Sequence, residues 1–161
     1  MDISFFEPTC KSSLQSYYPK LEKAKEVILV HNTFTKEDDI VFANNKKGVN
    51  WCVCINANQY IEHAVPPIEL LRKNNSSIVV GTDSLASNHS LSILDELKSI
   101  AQHFPAIPLN ELLQWATING ARALQMDDVL GSFEKGKKPA VLLLENILEG
   151  NISNASVKKI F

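Results

Sequence analysis

Apolar residues change their period several times along the chain, and each change marks an element. Between Leu14 and Lys25 they recur at Leu14, Tyr17, Tyr18, Leu21 and Ala24. That is the spacing of one helical face, so the stretch is predicted helical with a break near Pro19. Val27-Ile28-Leu29-Val30 is instead a continuous β-branched and apolar run, which suits a strand covered on both faces, as in parallel sheets. It ends at His31. Thr35 is placed to cap a helix through Glu37, Ile40, Val41 and Ala43, with Glu37, Asp38 and Asp39 in the first turn, where the helix dipole favours them. Lys46-Lys47-Gly48 forms the exit. A second strand is predicted from Val49 to Ile55, then a long loop to Pro66-Pro67, with Pro67 starting a short helix from Ile68 to Lys73.

The third apolar run, Ile78-Val79-Val80, ends in Gly81-Thr82-Asp83 and a polar loop through Asn88. Strand, helix, strand, helix, strand is the signature of an α/β fold with a parallel sheet. A capped helix follows from Ser92 to about His103, with Leu94, Leu97, Ala101 and Phe104 on one side, ended by Pro105 and Pro108. Leu109 to Gln125 holds two short helices, Asn110 to Trp115 and Thr117 to Leu124. The tail differs. A turn at Gly131–Gly136, a strand from Val141 to Leu144 and a turn at Gly150–Asn154 predict β-structure outside the α/β unit.

Composition narrows the function classes. Of the 161 residues, 45% are hydrophobic and 21% charged, as in an ordinary globular protein. The formal net charge is −2 with no basic stripe, which argues against nucleic acid or an anionic membrane as partner. No stretch approaches the roughly 20 apolar residues of a spanning helix, and the N-terminal residues lack a signal-peptide pattern, so a cytoplasmic protein is expected. Cys10, Cys52 and Cys54 cannot form a closed disulfide set, and reduced thiols are expected. Cys52 and Cys54, two apart on a strand, point to one face; buried strand cysteines suit them better than a metal pair lacking a second pair of ligands.

In parallel α/β folds ligands bind where strands end at their carboxyl side. His31 directly follows the first run and Asp83 the third, so both fall on the same rim. On spacing alone His31 fits a histidine bonding a neighbouring loop, and Asp83 a helix cap or turn residue. Together they also fit an acid/base pair, with the imidazole polarising or donating and the carboxylate taking a proton or binding a metal. His63, His89 and His103 lack such placement and read as surface residues. The amide-rich segment Asn56-Ala57-Asn58-Gln59-Tyr60 suits substrate hydrogen bonding or simple turn formation equally. Gly81 would let the backbone approach closely.

At a larger scale the motifs become specific. VILVHNTF, CINANQYIEHAVPPIELL, IVVGTDSLASNHSLSILDELK, LLQWATINGARAL and LGSFEKGKKPAVLLL occur in that order over Val27 to Leu144. The chain thereby resembles the C-terminal part of the amidohydrolase superfamily, most closely its branch of chlorohydrolases and adenosine-type or guanine-type deaminases. The resemblance implies strands six to eight of a (β/α)₈ TIM barrel, with a helical lead-in over 1–26, barrel over 27–127 and, over 128–161, a C-terminal β segment of a small β domain. It implies a hydrolase of C–N bonds using one divalent metal, zinc or iron, to activate the attacking water on a small-molecule substrate. His31 matches the strand-six histidine that contacts substrate or water, and Asp83 the strand-eight aspartate that contacts the metal and accepts the proton. Asn58 falls in the strand-seven loop, a substrate-binding position.

Departures from the family pattern are equally informative. Its HxH motif, its strand-five histidine and the neighbouring glutamate have no counterpart in residues 1–26. Ser84 stands where glycine is frequent, and Pro139-Ala140 replaces Ala-Asp after the Gly-Lys. The expectation is a truncated chain, inactive alone and without a tightly bound metal, since catalytic zinc sites use about three protein ligands. Exposed sheet edges predict a homo-oligomer. The alternatives are a free-standing α/β module binding a ligand or partner, and one half of a split enzyme.

Overall fold

The computed structural model describes residues 9–160. Three parallel strands, β1 (Val27–Val30), β2 (Val49–Val53) and β3 (Ile78–Val80), pair in chain order. Val27 aligns with Val49, Val30 with Cys52 and Trp51 with Ile78. Parallel neighbours need helical crossovers. These are α2 (Glu37–Asn44) after β1, and α3 (Ile55–Glu62) with α4 (Ile68–Lys73) after β2. Beyond β3 come α5 (Ile93–His103), α6 (Leu109–Ala116) and α7 (Ile118–Ala123), while α1 (Ser13–Tyr17) precedes the sheet and runs into a 3₁₀ turn, Tyr18–Leu21, that holds Pro19. Strands β4 (Leu142–Glu145) and β5 (Ser156–Lys159) form a separate antiparallel ribbon, the β-structure expected of the tail.

One face of the sheet makes the core with the helices. Trp51, Val53, Ile40, Ile68, Ile78, Ile100 and Leu112 are all almost fully buried there. Trp51 also finds a partner for its indole N–H, as a buried tryptophan needs. It donates to Asn44 Oδ1 at 3.0 Å, and the Asn44 amide bonds the Asn74 carbonyl (3.0 Å) and Ser76 Oγ (2.9 Å), tying α2 to the turn before β3. Ile152 and Ala155 belong to the same core and anchor the segment between β4 and β5. Gly48 sits at φ +68°, and a Cβ there would strike the Lys25 carbonyl, so the turn into β2 requires glycine. No helix among the described residues is long and apolar enough to cross a membrane.

Four expectations need correction. Thr35 does not cap α2; its N–H closes a turn onto Asn32 at 3.1 Å, and Lys36 is the cap residue. The Asp39 carboxylate there is buried and accepts from the Ser12 hydroxyl and the Gln15 amide, joining α1 to α2. Strand β2 stops at Val53, and what was expected as loop from Asn56 is helix α3. Ile55, Ala57 and Asn58 are buried along it, so packing overrides the weak helix propensity of asparagine. Strand β1, finally, is not fully covered on both faces: Ile28 and Leu29 are half-buried and Val30 is 45% exposed.

Candidate active site

The carboxyl ends of β1 and β3 carry the two residues of interest. His31 and Asp83 both leave their strands in the left-handed region, at φ 67° and 58°. Histidine and aspartate are among the non-glycine types that tolerate this conformation, which turns each side chain sharply off its strand. They meet: His31 Nε2 lies 3.9 Å from Asp83 Oδ2, with the two side chains 34% and 31% exposed. That gap is too long for a direct hydrogen bond and is open to solvent, so an oxygen atom can be held between the two groups.

Each partner is anchored from behind. Ser87, buried, donates its hydroxyl to Asp83 Oδ2. Asn88, also buried, donates to the Thr82 carbonyl at 2.8 Å and to Glu96 Oε1 at 2.7 Å. Glu96 lies in the first turn of α5, capped by Ser92 as its sequence predicts, and is completely buried. Its carboxylate also accepts from the Asn56 amide side chain (2.9 Å) and backbone N–H (3.2 Å). Three charge-assisted hydrogen bonds therefore satisfy this anion and join the Asp83 loop to the first turn of α3.

Helix α3 supplies the support for His31. Asn58 is 1% exposed, and its amide nitrogen reaches Thr33 Oγ1 at 2.6 Å, Glu62 Oε2 at 3.0 Å and His31 Nδ1 at 3.4 Å. Its Oδ1 is buried without a partner among the described residues. Hydrogen bonds from Thr33 and Asn58 hold the Glu62 carboxyl below the usual carboxylate range; the nearby His31 adds to this and burial opposes it. A depressed folded value means stability that is fully present above the ordinary carboxylate pKa of about 4.3 and lost as pH falls through the lower folded value. The urea midpoint of Glu62→Gln should accordingly fall below wild type at about pH 6 and by less near about pH 3. An equal difference at both pH values would contradict the assignment.

The rim thus joins His31, Asp83 and Asn58, and adds Thr33, Glu62, Ser87, Asn88 and Glu96, which the sequence reading did not single out for roles. A spacing of four between Asn58 and Glu62 would have been the signal for one of them, had α3 been recognised. His63, His89 and His103 are exposed, as expected. Among the described residues no three His, Cys, Asp or Glu side chains converge as a metal cage. Asp83 and His31 offer one carboxylate and one imidazole, short of the roughly three protein ligands of a catalytic zinc site. This donor set does not by itself hold a divalent ion.

Comparison with known proteins identifies the family of the chain. The model of the amidohydrolase family matches residues 9–161. A 5-methylthioadenosine/S-adenosylhomocysteine deaminase of Saccharophagus degradans is 30% identical over 135 residues, 78% of this chain and 30% of that protein. Among solved structures, an adenosine deaminase from Xanthomonas campestris with bound zinc superposes with a TM-score of 0.66 at 28% identity, covering 78% of this chain and 29% of that one. An atrazine chlorohydrolase from Arthrobacter aurescens, complexed with zinc, gives 0.61 at 28% identity over 69% of this chain and 26% of that one. The chain thus spans about 30% of the length of the relatives it matches. From sequence and fold alike, it belongs to the amidohydrolase family.

Proposed function

We propose that this chain provides strands six to eight of an amidohydrolase barrel that hydrolyses a C–N bond of an amino-substituted ring, a purine nucleoside being the class its relatives suggest. The observation that carries the reading is the approach of His31 Nε2 to Asp83 Oδ2, 3.9 Å apart on one rim. In it, Asp83 accepts a proton from the attacking water and passes it to the leaving amine, while His31 donates to the ring atom on which charge develops. Asn58 and Ser87 hold the two groups from the protein side. The divalent ion bound by zinc-containing relatives needs ligands beyond these elements, so the chemistry assigned to this chain is proton transfer and charge stabilisation. The remaining barrel strands come in the same chain or in a separate one, and the 161 residues alone are expected to be inactive. Ammonia release from adenosine or 5′-methylthioadenosine by the complete barrel tests the reading. Absence of release from any amino-substituted ring by a folded, metal-loaded barrel would refute it.

Association of the isolated chain follows from the same picture. Strands β1 and β3 each have a single strand neighbour among the described residues. Val30, Phe34, Tyr60, Leu85 and Leu91 leave apolar side chains exposed. Bare edges and apolar surface drive pairing, so sedimentation velocity at rising concentration should show a homo-oligomer. A single monomer boundary throughout would count against it.

A further inference from the structure

The two strand cysteines are left over by this account. Cys52 projects from the face of β2 opposite to Trp51 and Val53, and Cys54 follows the last residue of that strand as the cap of α3. They converge on a single point: a Cβ added at Gly81 would meet Cys52 Sγ at 2.9 Å and Cys54 Sγ at 3.3 Å. Gly81 thus lets the backbone approach closely, as the sequence suggested, and what it approaches is the pair of sulfurs. The environments of the two thiols differ. Cys52 is partly exposed, whereas Cys54 is 1% exposed. A hydrogen bond from the Cys54 thiol favours the Cys52 thiolate, and the same bond together with burial pushes the Cys54 thiol up. A more accessible thiol beside a buried one is the arrangement of an attacking and a resolving cysteine.

We propose that Cys52 and Cys54 form an oxidisable dithiol, a modification site whose reactant is hydrogen peroxide. The Cys52 thiolate attacks one peroxide oxygen; an S–O bond forms, the O–O bond breaks, and the leaving hydroxide takes up a proton as water. The Cys54 sulfur then attacks the sulfenic sulfur, the S–O bond breaks, and the departing hydroxide carries off the Cys54 proton as a second water. Two sulfurs are oxidised by two electrons in all, and the peroxide is reduced to water. Strand geometry places the Cα atoms of residues two apart about 6.6 Å from each other, near the upper end of the range disulfides span. The bond is accordingly reducible by a simple dithiol. Because Cys54 is the cap residue of α3 and Gly81 lies two residues before Asp83, closure would shift both supports of the rim.

The proposal stands apart from the hydrolytic reading and is tested on the chain itself, with Cys10→Ser removing the remaining, exposed thiol. After hydrogen peroxide treatment under native conditions, mass spectrometry should show loss of two hydrogens per chain, a Cys52–Cys54 linked peptide, and full reversal by dithiothreitol. In Cys54→Ser, Cys52 should instead accumulate as a sulfenic acid trapped by dimedone. Gly81→Ala, whose methyl group would press on both sulfurs, should slow disulfide formation. Oxidation of Cys52 to sulfinic acid with Cys54 still reduced, or no reaction of either thiol in the folded chain, would overturn the proposal.

Discussion

Asp83→Asn is expected to lower kcat/KM of the complete barrel by about 10²–10⁴-fold, the usual contribution of a positioned acid/base group, and to leave the fold unchanged. Asparagine is the informative replacement on structural grounds. Asp83 sits at φ 58°, a conformation asparagine adopts more readily than almost any other non-glycine residue, whereas alanine would add backbone strain. The asparagine Oδ1 can still accept the Ser87 hydroxyl, so the loop keeps its internal bond. What disappears is the negative charge of the carboxylate, and with it the capacity of the oxygen that faces both Ser87 and His31 to take up a proton. A circular-dichroism melt superimposable on wild type with activity lost supports the role; retained activity removes Asp83 from the chemistry.

The second large effect is on stability. Glu96→Leu fills a similar volume but leaves the Asn56 backbone N–H, the Asn56 amide and the Asn88 amide without their acceptor in a buried site. Each stranded donor costs about 1–3 kcal/mol, so a total near 3 kcal/mol is a conservative expectation. For a chain of this size that corresponds to a fall in Tm of roughly 6–12 °C. Glu96→Gln keeps one acceptor and should lose less. If Glu96→Leu melted with wild type, the carboxylate would not be the junction of α3, α5 and the Asp83 loop.

Much of this was legible in the residues. The short runs at Val27, Val49 and Ile78 are β-rich and bounded by turn signals, and Ser92 announces α5, because strand runs and caps are local properties. His31 and Asp83 could be placed on one rim because parallel strands share a direction, so position after a strand translates into position in space. Helix α3 was not legible. Its Asn56, Asn58 and Gln59 look like loop, and only the burial of Ile55 and Ala57 against neighbours distant in sequence makes them helical. Glu96 was hidden for a related reason. Beside Asp95 in a first helical turn it reads as a surface charge favouring the dipole, and its true partners lie 40 and 8 residues away.

The most direct test of the central claim is a double-mutant cycle on ammonia release by the complete barrel, measuring kcat/KM for wild type, His31→Gln, Asp83→Asn and the pair. Two groups acting on one reacting centre give strongly non-additive losses, so the double variant should be little worse than the more damaged single variant. Losses that simply multiply, or turnover that survives both changes, would show that His31 and Asp83 do not form the acid/base pair assigned to them.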